Sequence, residues 1–353
     1  MRRSRRRSRP GGPFNPGATE FEPDVSFPEI VVPPGTLVGA SVDIGANSAH
    51  LLVAAIYGDR LEPLLDESVF LGLGDRVARD GFMGAVAREE LVAALVEYAD
   101  AARRIGAEAV TLVGTEPLRR AADAASLVQD VQSRAGVPLH VLDHDEEAML
   151  MLLGVTCGRA VEREILVVDI GGGSSEFVIA APGRHVQATG LRLGGARLTQ
   201  ELAKSDPPTL AEIDAMREAV RALVADAPSA NPAEIVAVGG TASNLLKLLP
   251  ATAEDRLLTR RRISVALAML TVEHSADAAE RHLLRPQRAR VLPAGALIVD
   301  AILERYGADA VRVSEEGIRE GVILAVAQAG AGWRDRLPTL VAGWEQAEVA
   351  GGT

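Results

Sequence analysis

A short sequence that occurs twice constrains the fold of this chain more than any other feature. Residues 42–54 and 168–180 align without gaps and share Val, Asp, Ile, Gly, Ser and a final Ala. In each copy, an apolar run ends in Asp-Ile-Gly and a second apolar run follows, which predicts a strand, a glycine loop and an antiparallel strand. We interpret the two copies as an internal duplication of one structural unit.

Both loops are predicted to bind anions, because glycine permits positive φ and lets backbone N–H groups approach a ligand closely. The second loop adds serine hydroxyls, but it lacks the lysine of a P-loop and the helix of a dinucleotide fingerprint. The predicted phosphate-binding residues are Ala46, Asn47 and Ser48 in the first loop, and Gly171, Gly172, Gly173, Ser174 and Ser175 in the second.

The chain of 353 residues is long enough for two domains. We predict an Arg-rich disordered extension over residues 1–36, domains over 37–160 and 161–330, and a tail over 331–353 that is a short helix or a loose end. The first 19 residues carry six arginines and no acid, so the rest holds 31 basic against 48 acidic residues. This acidic body argues against broad nucleic-acid binding, but it permits a small phosphorylated ligand.

Each half is predicted to open with three antiparallel strands followed by helices. In the first half the strands cover residues 37–43, 48–57 and 60–71, and a later helix covers 118–135. In the second half a helix is predicted to start at Ala242, directly after a glycine turn.

The sequence also indicates a cytoplasmic protein. No apolar run approaches the roughly 20 residues of a membrane span, and the N-terminus has no apolar segment of an export signal. Cys157 is the single cysteine, which excludes an internal disulfide.

Carboxylates accumulate close to the predicted loops. Asp43, Asp169 and Glu176 are oxygen ligands of the kind that Mg²⁺ prefers. Residues 143–147, Asp-His-Asp-Glu-Glu, precede a predicted helix, where acids are also favoured by the helix dipole. A carboxylate from this turn could deprotonate a water that attacks a phosphate.

Two further segments are candidate phosphate contacts. Arg119 follows a strand end at Gly114-Thr115, and a guanidinium suits bidentate phosphate binding. Gly240 and Thr241 lie in the glycine turn before Ala242, where a helix N-terminus favours an anion.

These motifs occur in the order found in the exopolyphosphatase/guanosine pentaphosphate phosphohydrolase family, which the chain resembles from about residue 37 to 330. The family belongs to the actin, sugar kinase and heat-shock ATPase superfold. The matching segments are residues 43–48, 114–121, 145–148, 153–155, 169–176, 193–199, 239–241, 292–296 and 313–321.

The resemblance implies two similar actin-like α/β domains with a cleft between them, in the short two-domain form of the family. It implies that Glu147 is the catalytic base, that Asp169 and Glu176 hold Mg²⁺ or position the water, and that Asp43 is the counterpart of Asp169. Arg119 and the loops then hold the phosphates. The expected partners are polyphosphate or a guanosine polyphosphate, with no specific nucleic acid, no membrane, and a homodimer as the assembly to test.

The chain departs from the family pattern at Ala46, Met149 and Asp123, where the family has Ser, Arg and Asn. Loss of an arginine and gain of an acid would disfavour a long polyanion. Two alternatives to the hydrolase stay open. Ala46 and Met149 motivate a guanosine tetraphosphate or pentaphosphate sensor with little turnover. The resemblance of Gly239-Gly240-Thr241 to the adenosine contact of the superfold motivates an ATP-dependent kinase or ATPase.

Overall fold

A computed structural model describes residues 32–249 and 255–342, and its contacts divide the chain into two units. Among the described residues, the first unit comprises 32–143 and 322–334, and the second comprises 144–249, 255–321 and 335–342. The division falls earlier than the predicted boundary at residue 160, because the helix that begins at His144 packs on strands of the second unit.

The first unit forms a five-stranded sheet in the order β3-β2-β1-β4-β5. β1 is antiparallel to β2 and parallel to β4. Its elements are β1 (Leu37–Ile44), β2 (Ser48–Tyr57), β3 (Arg60–Phe70), α1 (Leu73–Asp80), α2 (Ala85–Ile105), β4 (Ala109–Gly114), α3 (Glu116–Arg120), α4 (Ala124–Ala135) and β5 (Leu139–Val141).

The second unit forms a six-stranded sheet in the order β10-β11-β9-β6-β7-β8. Its elements are α5 (His144–Thr156), β6 (Ile165–Ile170), β7 (Ser175–Ala180), β8 (Gln187–Leu191), α6 (Gly195–Leu202), α7 (Leu210–Val224), β9 (Glu234–Val238), α8 (Gly239–Leu248), β10 (Leu257–Thr259), α9 (Arg260–Leu270), α10 (Ser275–Arg281), α11 (Pro286–Tyr306), β11 (Ala310–Val313) and α12 (Ile318–Ala329), which continues into the first unit. A 3₁₀ turn, Gly330–Gly332, and α13 (Trp333–Val341) follow.

The two sheets repeat one topology. Read from the edge formed by the third strand of each unit, the first sheet has the order β3-β2-β1-β4-β5 and the second has the order β8-β7-β6-β9-β11. Strands at the same place in the two orders correspond, and β10 is an additional strand at the far edge of the second sheet. The predicted fold class, two similar actin-like α/β domains, is confirmed. The predicted duplication therefore extends over whole sheets.

The central strand of the second sheet is buried on both faces. Leu166, Val168 and Ile170 belong to a core cluster with α7 and α11, whereas Val167 packs with α5 residues on the opposite face. A strand covered on both sides has no reason to alternate polar and apolar residues. This burial explains the continuous apolar run that the sequence shows before Asp169.

Several predicted elements differ from the observed ones. The helix predicted over residues 118–135 is divided into α3 and α4, because the Asp123 carboxylate accepts hydrogen bonds from the backbone N–H groups of Met83 and Gly84. α1 was missed. It lies between Gly72 and Gly81, which are both at positive φ. These two residues interrupt the backbone before and after the helix, so that it forms a separate short element.

The ends of the chain are only partly described. Residues 1–31 and 343–353 lie outside the described residues, so the predicted disorder of the Arg-rich extension is untested there. Residues 32–36, which the prediction included in that extension, contain a turn in which the Thr36 N–H donates to Pro33 C=O at 3.2 Å, and Val32 packs on the first core. Within the described ranges, no helix has both the length and the apolar character needed to cross a bilayer.

Candidate functional site

The two predicted loops have the same backbone geometry. The Gly45 N–H donates to Ser48 C=O at 3.0 Å, and the Gly171 N–H donates to Ser174 C=O at 3.0 Å. In the flanking strands Asp43 stands opposite His50, as Asp169 stands opposite Glu176. The ungapped alignment of the two copies is thus confirmed as a structural equivalence of two hairpins.

The duplication continues beyond the hairpins, in a part that sequence reasoning missed. A helix after the third strand supports each loop: the Gly74 N–H donates to Ala46 C=O at 2.7 Å, and the Ala196 N–H donates to Gly172 C=O at 2.9 Å. A Leu-Gly pair precedes both helices, at residues 71–72 and 193–194. This repeated Leu-Gly pair is the sequence feature from which the two supporting helices could have been predicted.

Close packing requires glycine beside the second loop. A Cβ at Gly194 would stand 2.3 Å from the Gly172 carbonyl oxygen, a distance that no real Cβ tolerates. The absence of a side chain lets α6 approach the loop, and the backbone N–H groups of Ala196 and Arg197 both donate to Gly172 C=O. The loop is thus held in one conformation from outside.

Several loop amides are available to a ligand. Among the described residues, the N–H groups of Ala46, Asn47, Gly172, Gly173 and Ser174 donate no hydrogen bond. Successive amides of this kind form an anion-binding concavity. The backbone of both loops is therefore suited to the predicted contact with phosphate.

The serine hydroxyls have local partners. Ser175 is buried, and its Oγ donates to Leu193 C=O at 2.6 Å. Ser174 Oγ donates to Glu176 Oε1 at 2.7 Å, and Ser48 is buried. Ser175 therefore supports the hairpin. Because its hydroxyl is buried and already donates to Leu193 C=O, its predicted contact with phosphate has the least structural support among the loop residues.

Carboxylates of the second unit meet beside its sheet. Burial, followed by the charge of Glu147, raises the pKa of Asp169 to about 6, although the residue as a whole keeps some exposed surface. Glu147 lies in the first turn of α5, and Glu176 lies in β7 opposite Asp169. The structure therefore places the predicted base close to the predicted metal ligands of the same unit.

Glu147 and Glu176 also line one pocket of about 320 Å³. Its walls come from α5, β7 and β8, with an apolar part that includes Met151 and Val178. An apolar pocket with a few convergent polar groups and a neighbour of perturbed pKa is the usual form of an active site. The complete lining is His144, Glu147, Ala148, Met151, Glu176, Val178, Ala188, Thr189 and Gly190.

The predicted glycine turn at residues 239–241 approaches Asp169 from the next strand. α8 begins at Gly239, three residues before the predicted start, and Gly239 has φ +83°. A Cβ there would stand 2.3 Å from Asp169 Oδ1. Gly239 thus allows the backbone to pass beside the carboxylate. Gly240 follows it, and Thr241 is buried with its methyl group against Gly295.

Arg288 is a candidate anion contact that sequence reasoning missed. Its guanidinium Nη1 lies 3.5 Å from the position of a Cβ on Gly240. Burial, and then the charge of Arg285, lower the pKa of Arg288, and no described carboxylate pairs with it. A cation in the first turn of a helix opposes the helix dipole. An arginine two residues after Pro286, at the start of α11, was therefore a readable signal.

In the first unit, Asp43 lies near the end of β1, and Arg119 lies in α3, which follows the adjacent parallel strand β4. Arg119 Nη1 donates to Leu142 C=O at 2.9 Å, just before α5 begins. Thr115 Oγ1 donates to Ile44 C=O at 3.3 Å, which ties the arginine motif to the first loop. Arg119 therefore orders the backbone near the first loop, and its predicted phosphate contact remains a prediction.

One departure from the family pattern has a structural explanation. Both oxygens of Asp123 accept backbone N–H groups, at 2.9 Å from Met83 and 3.1 Å from Gly84. A carboxylate with two such donors is a local support for the chain. The Asp123 carboxylate thus serves the segment before α2, and this local contact accounts for the acid without a role in excluding a long polyanion.

The carboxylate oxygens of Asp43, Asp169 and Glu176 are suitable ligands for a Mg²⁺ ion that is also bound by the phosphates of a substrate. In the described part of the chain, no group of three or more His, Cys, Asp or Glu side chains could hold a metal ion by itself. Mg²⁺ is commonly bound by one or two carboxylates together with substrate phosphates and waters. Asp169 and Glu176 meet that requirement in the second unit, and Asp43 is their counterpart in the first. Mg²⁺ stays a prediction.

Known proteins share this architecture and sequence. The chain is 31% identical over 319 residues to Exopolyphosphatase 2 of Mycobacterium tuberculosis, covering 82% of this chain and 98% of the relative. It is 28% identical to Exopolyphosphatase 1 of Mycobacterium leprae, covering 80% and 87%. A guanosine-5'-triphosphate,3'-diphosphate pyrophosphatase of Vibrio vulnificus is 24% identical, with 80% and 58% covered.

A crystal structure of the Aquifex aeolicus member of the Ppx/GppA protein family superimposes with a TM-score of 0.74 at 28% identity, covering 84% of this chain and 99% of that one. The model of the Ppx/GppA phosphatase family matches residues 52–329. Because the family model matches well over half of the chain and a relative is 31% identical over 82% of it, this protein belongs to the Ppx/GppA phosphatase family.

Proposed function

We propose that this phosphatase hydrolyses the terminal phosphoanhydride bond of inorganic polyphosphate or of guanosine pentaphosphate, with Glu147 as the base that activates water. The observation that carries the proposal is the pocket in which Glu147 and Glu176 converge beside the enclosed carboxyl of Asp169. Relatives named exopolyphosphatase and guanosine pentaphosphate pyrophosphatase support the two substrate classes.

In this reaction Glu147 accepts a proton as a water oxygen attacks the terminal phosphorus. The bond from phosphorus to the bridging oxygen breaks, and inorganic phosphate leaves with the shortened chain or guanosine tetraphosphate as the other product. In this proposal the amides of Gly172 and Gly173, which donate no hydrogen bond among the described residues, bind the phosphate oxygens, and Arg288 supplies a cation beside Gly240. A bound Mg²⁺ would neutralise charge that develops on those oxygens.

The test is phosphate release from medium-chain polyphosphate and from guanosine pentaphosphate, with Mg²⁺ or with a chelator. We expect Glu147→Gln to lower kcat by roughly 10²- to 10⁴-fold, the usual contribution of a general base. Glu146→Gln is the matched control, because Glu146 precedes Glu147 in the same helical turn but does not line the pocket. Its kcat should stay within a few-fold of wild type.

Two outcomes would overturn the proposal. Equal losses in Glu147→Gln and Glu146→Gln would show that the pocket does not contain the base. No release from either substrate by the wild type, with binding of guanosine tetraphosphate retained, would identify a sensor instead of a hydrolase. Phosphate transfer from ATP to a small acceptor would identify a kinase.

A further inference from the structure

An exposed aromatic side chain stands beside the first loop. Phe70 is the last residue of β3 and is paired with Ser48, the first residue after that loop. The residue is 64% exposed. Its ring also lies against Gly72, since a Cβ on Gly72 would be 3.6 Å from Cε1 of the ring.

The backbone connects this ring directly to the loop. The N–H groups of Leu71 and Gly72 both donate to Asn47 C=O, at 2.8 and 3.0 Å. The same loop presents the N–H groups of Ala46 and Asn47, which donate no hydrogen bond among the described residues. A flat apolar surface and an anion-binding backbone are thus adjacent within the first unit.

Comparison of the two copies of the duplicated unit shows that only the first copy has an aromatic residue at this position. Phe70 precedes Leu71-Gly72, and the residue that precedes the equivalent Leu193-Gly194 is Arg192, which is exposed. An arginine beside a phosphate loop matches a chain of phosphates by charge and by bidentate hydrogen bonds. A phenylalanine offers neither. Its chemistry matches a ligand that has a flat, weakly polar face.

We propose that Phe70 is a specificity-determining residue: its ring is a stacking platform for the base of a guanosine polyphosphate that has one of its phosphate groups at the first loop. The inference rests on the proposed function and identifies which of its two substrate classes the site selects. Stacking on an aromatic ring is favourable for any nucleobase, because every base has a π-face. Inorganic polyphosphate has no such face and gains nothing from the ring.

The experiment compares KM for guanosine pentaphosphate and for medium-chain polyphosphate in wild type and Phe70→Ala. Loss of one base–aromatic stack predicts a rise of about 5- to 150-fold in KM for the guanosine substrate. KM for polyphosphate should change far less, and Phe70→Trp should restore the guanosine value. Phe82→Ala is the control, because Phe82 is also an exposed phenylalanine of the first unit, at 49%, but pairs with no loop residue.

Equal effects of Phe70→Ala on both substrates, or no effect on either, would overturn the inference while leaving the hydrolase proposal intact. A wild type that releases no phosphate from either substrate would overturn the hydrolase proposal instead. In that case calorimetric binding of guanosine tetraphosphate decides the inference separately: weaker binding by Phe70→Ala than by Phe82→Ala supports the platform, and equal binding contradicts it.

Discussion

Gly321→Ala is the sharpest test of how α5 is held in place. A Cβ at Gly321 would stand 1.9 Å from the Leu150 carbonyl oxygen and 3.1 Å from the Gly154 backbone nitrogen. Ordinary contact for such a pair begins at 3.4 Å, so α12 and α5 would have to separate by about 1.5 Å. Both obstructing atoms are backbone atoms, which cannot rotate away.

The expected cost follows from two opposing effects. Overpacking against a rigid neighbour costs up to about 3 kcal/mol, whereas replacing a helical glycine by alanine gains up to about 1 kcal/mol. We therefore expect Gly321→Ala to lower the free energy of unfolding by about 2 kcal/mol. Leu150 lies one helical turn beyond Glu147, so a shift of α5 displaces the base as well. A misplacement near 1 Å can lower kcat about 100-fold.

Gly317→Ala provides a matched control on the same segment. A Cβ at Gly317 meets nothing within 4 Å, and its φ does not lie in the left-handed range. That variant should be as stable as wild type or slightly more stable. Urea unfolding and steady-state phosphate release measure both effects. Equal stability of the two variants, or a loss of stability in Gly321→Ala with full kcat retained, would contradict this expectation.

Three further predictions concern charge. Because the folded pKa of Asp169 is raised to about 6 from 3.8, this group contributes stability that is complete below pH 3.8 and is lost as the pH rises through 6. In chelator, Asp169→Asn should be more stable than wild type by up to about 3 kcal/mol above pH 7 and by little near pH 4, measured by urea unfolding. Hydrogen bonds from Ser205 and from neighbouring backbone N–H groups hold the pKa of Glu212 at about 2, so its contribution is present above pH 4.5 and is lost as the pH falls towards 2. Glu212→Gln should therefore show a flatter decline of Tm than wild type across that interval, and an unchanged decline would refute the assignment. Arg288→Gln should raise KM for guanosine pentaphosphate at least 10-fold and weaken its salt dependence, whereas Arg285→Gln, which removes an exposed arginine, should do neither.

Local features of the fold could be predicted because they depend on short-range geometry. The strand Ser48–Tyr57 agrees with its prediction to the residue, and Leu37–Ile44 and Arg60–Phe70 differ from theirs by one residue at the end. The equivalence of the two hairpins followed from an ungapped alignment, since the same Asp-Ile-Gly turn closes the same backbone hydrogen bond in each copy. Prediction failed at α1, which lies between two glycines at positive φ, and at the break between α3 and α4, where Asp123 contacts the distant residues Met83 and Gly84.

The sequence by itself determined the duplication, the loops and the order of the motifs, because each resides in neighbouring residues and their hydrogen bonds. Only the tertiary structure decided which of these groups act together. α5 must pack on β7 and β8 before Glu147 and Glu176 can share a pocket, and Gly239 must reach β6 before Asp169 is enclosed. Arg288 lies 48 residues beyond Gly240 in the chain and meets it only through the packing of α11. Burial and proximity shift a pKa and create a site, and both are properties of long-range packing that no local pattern encodes.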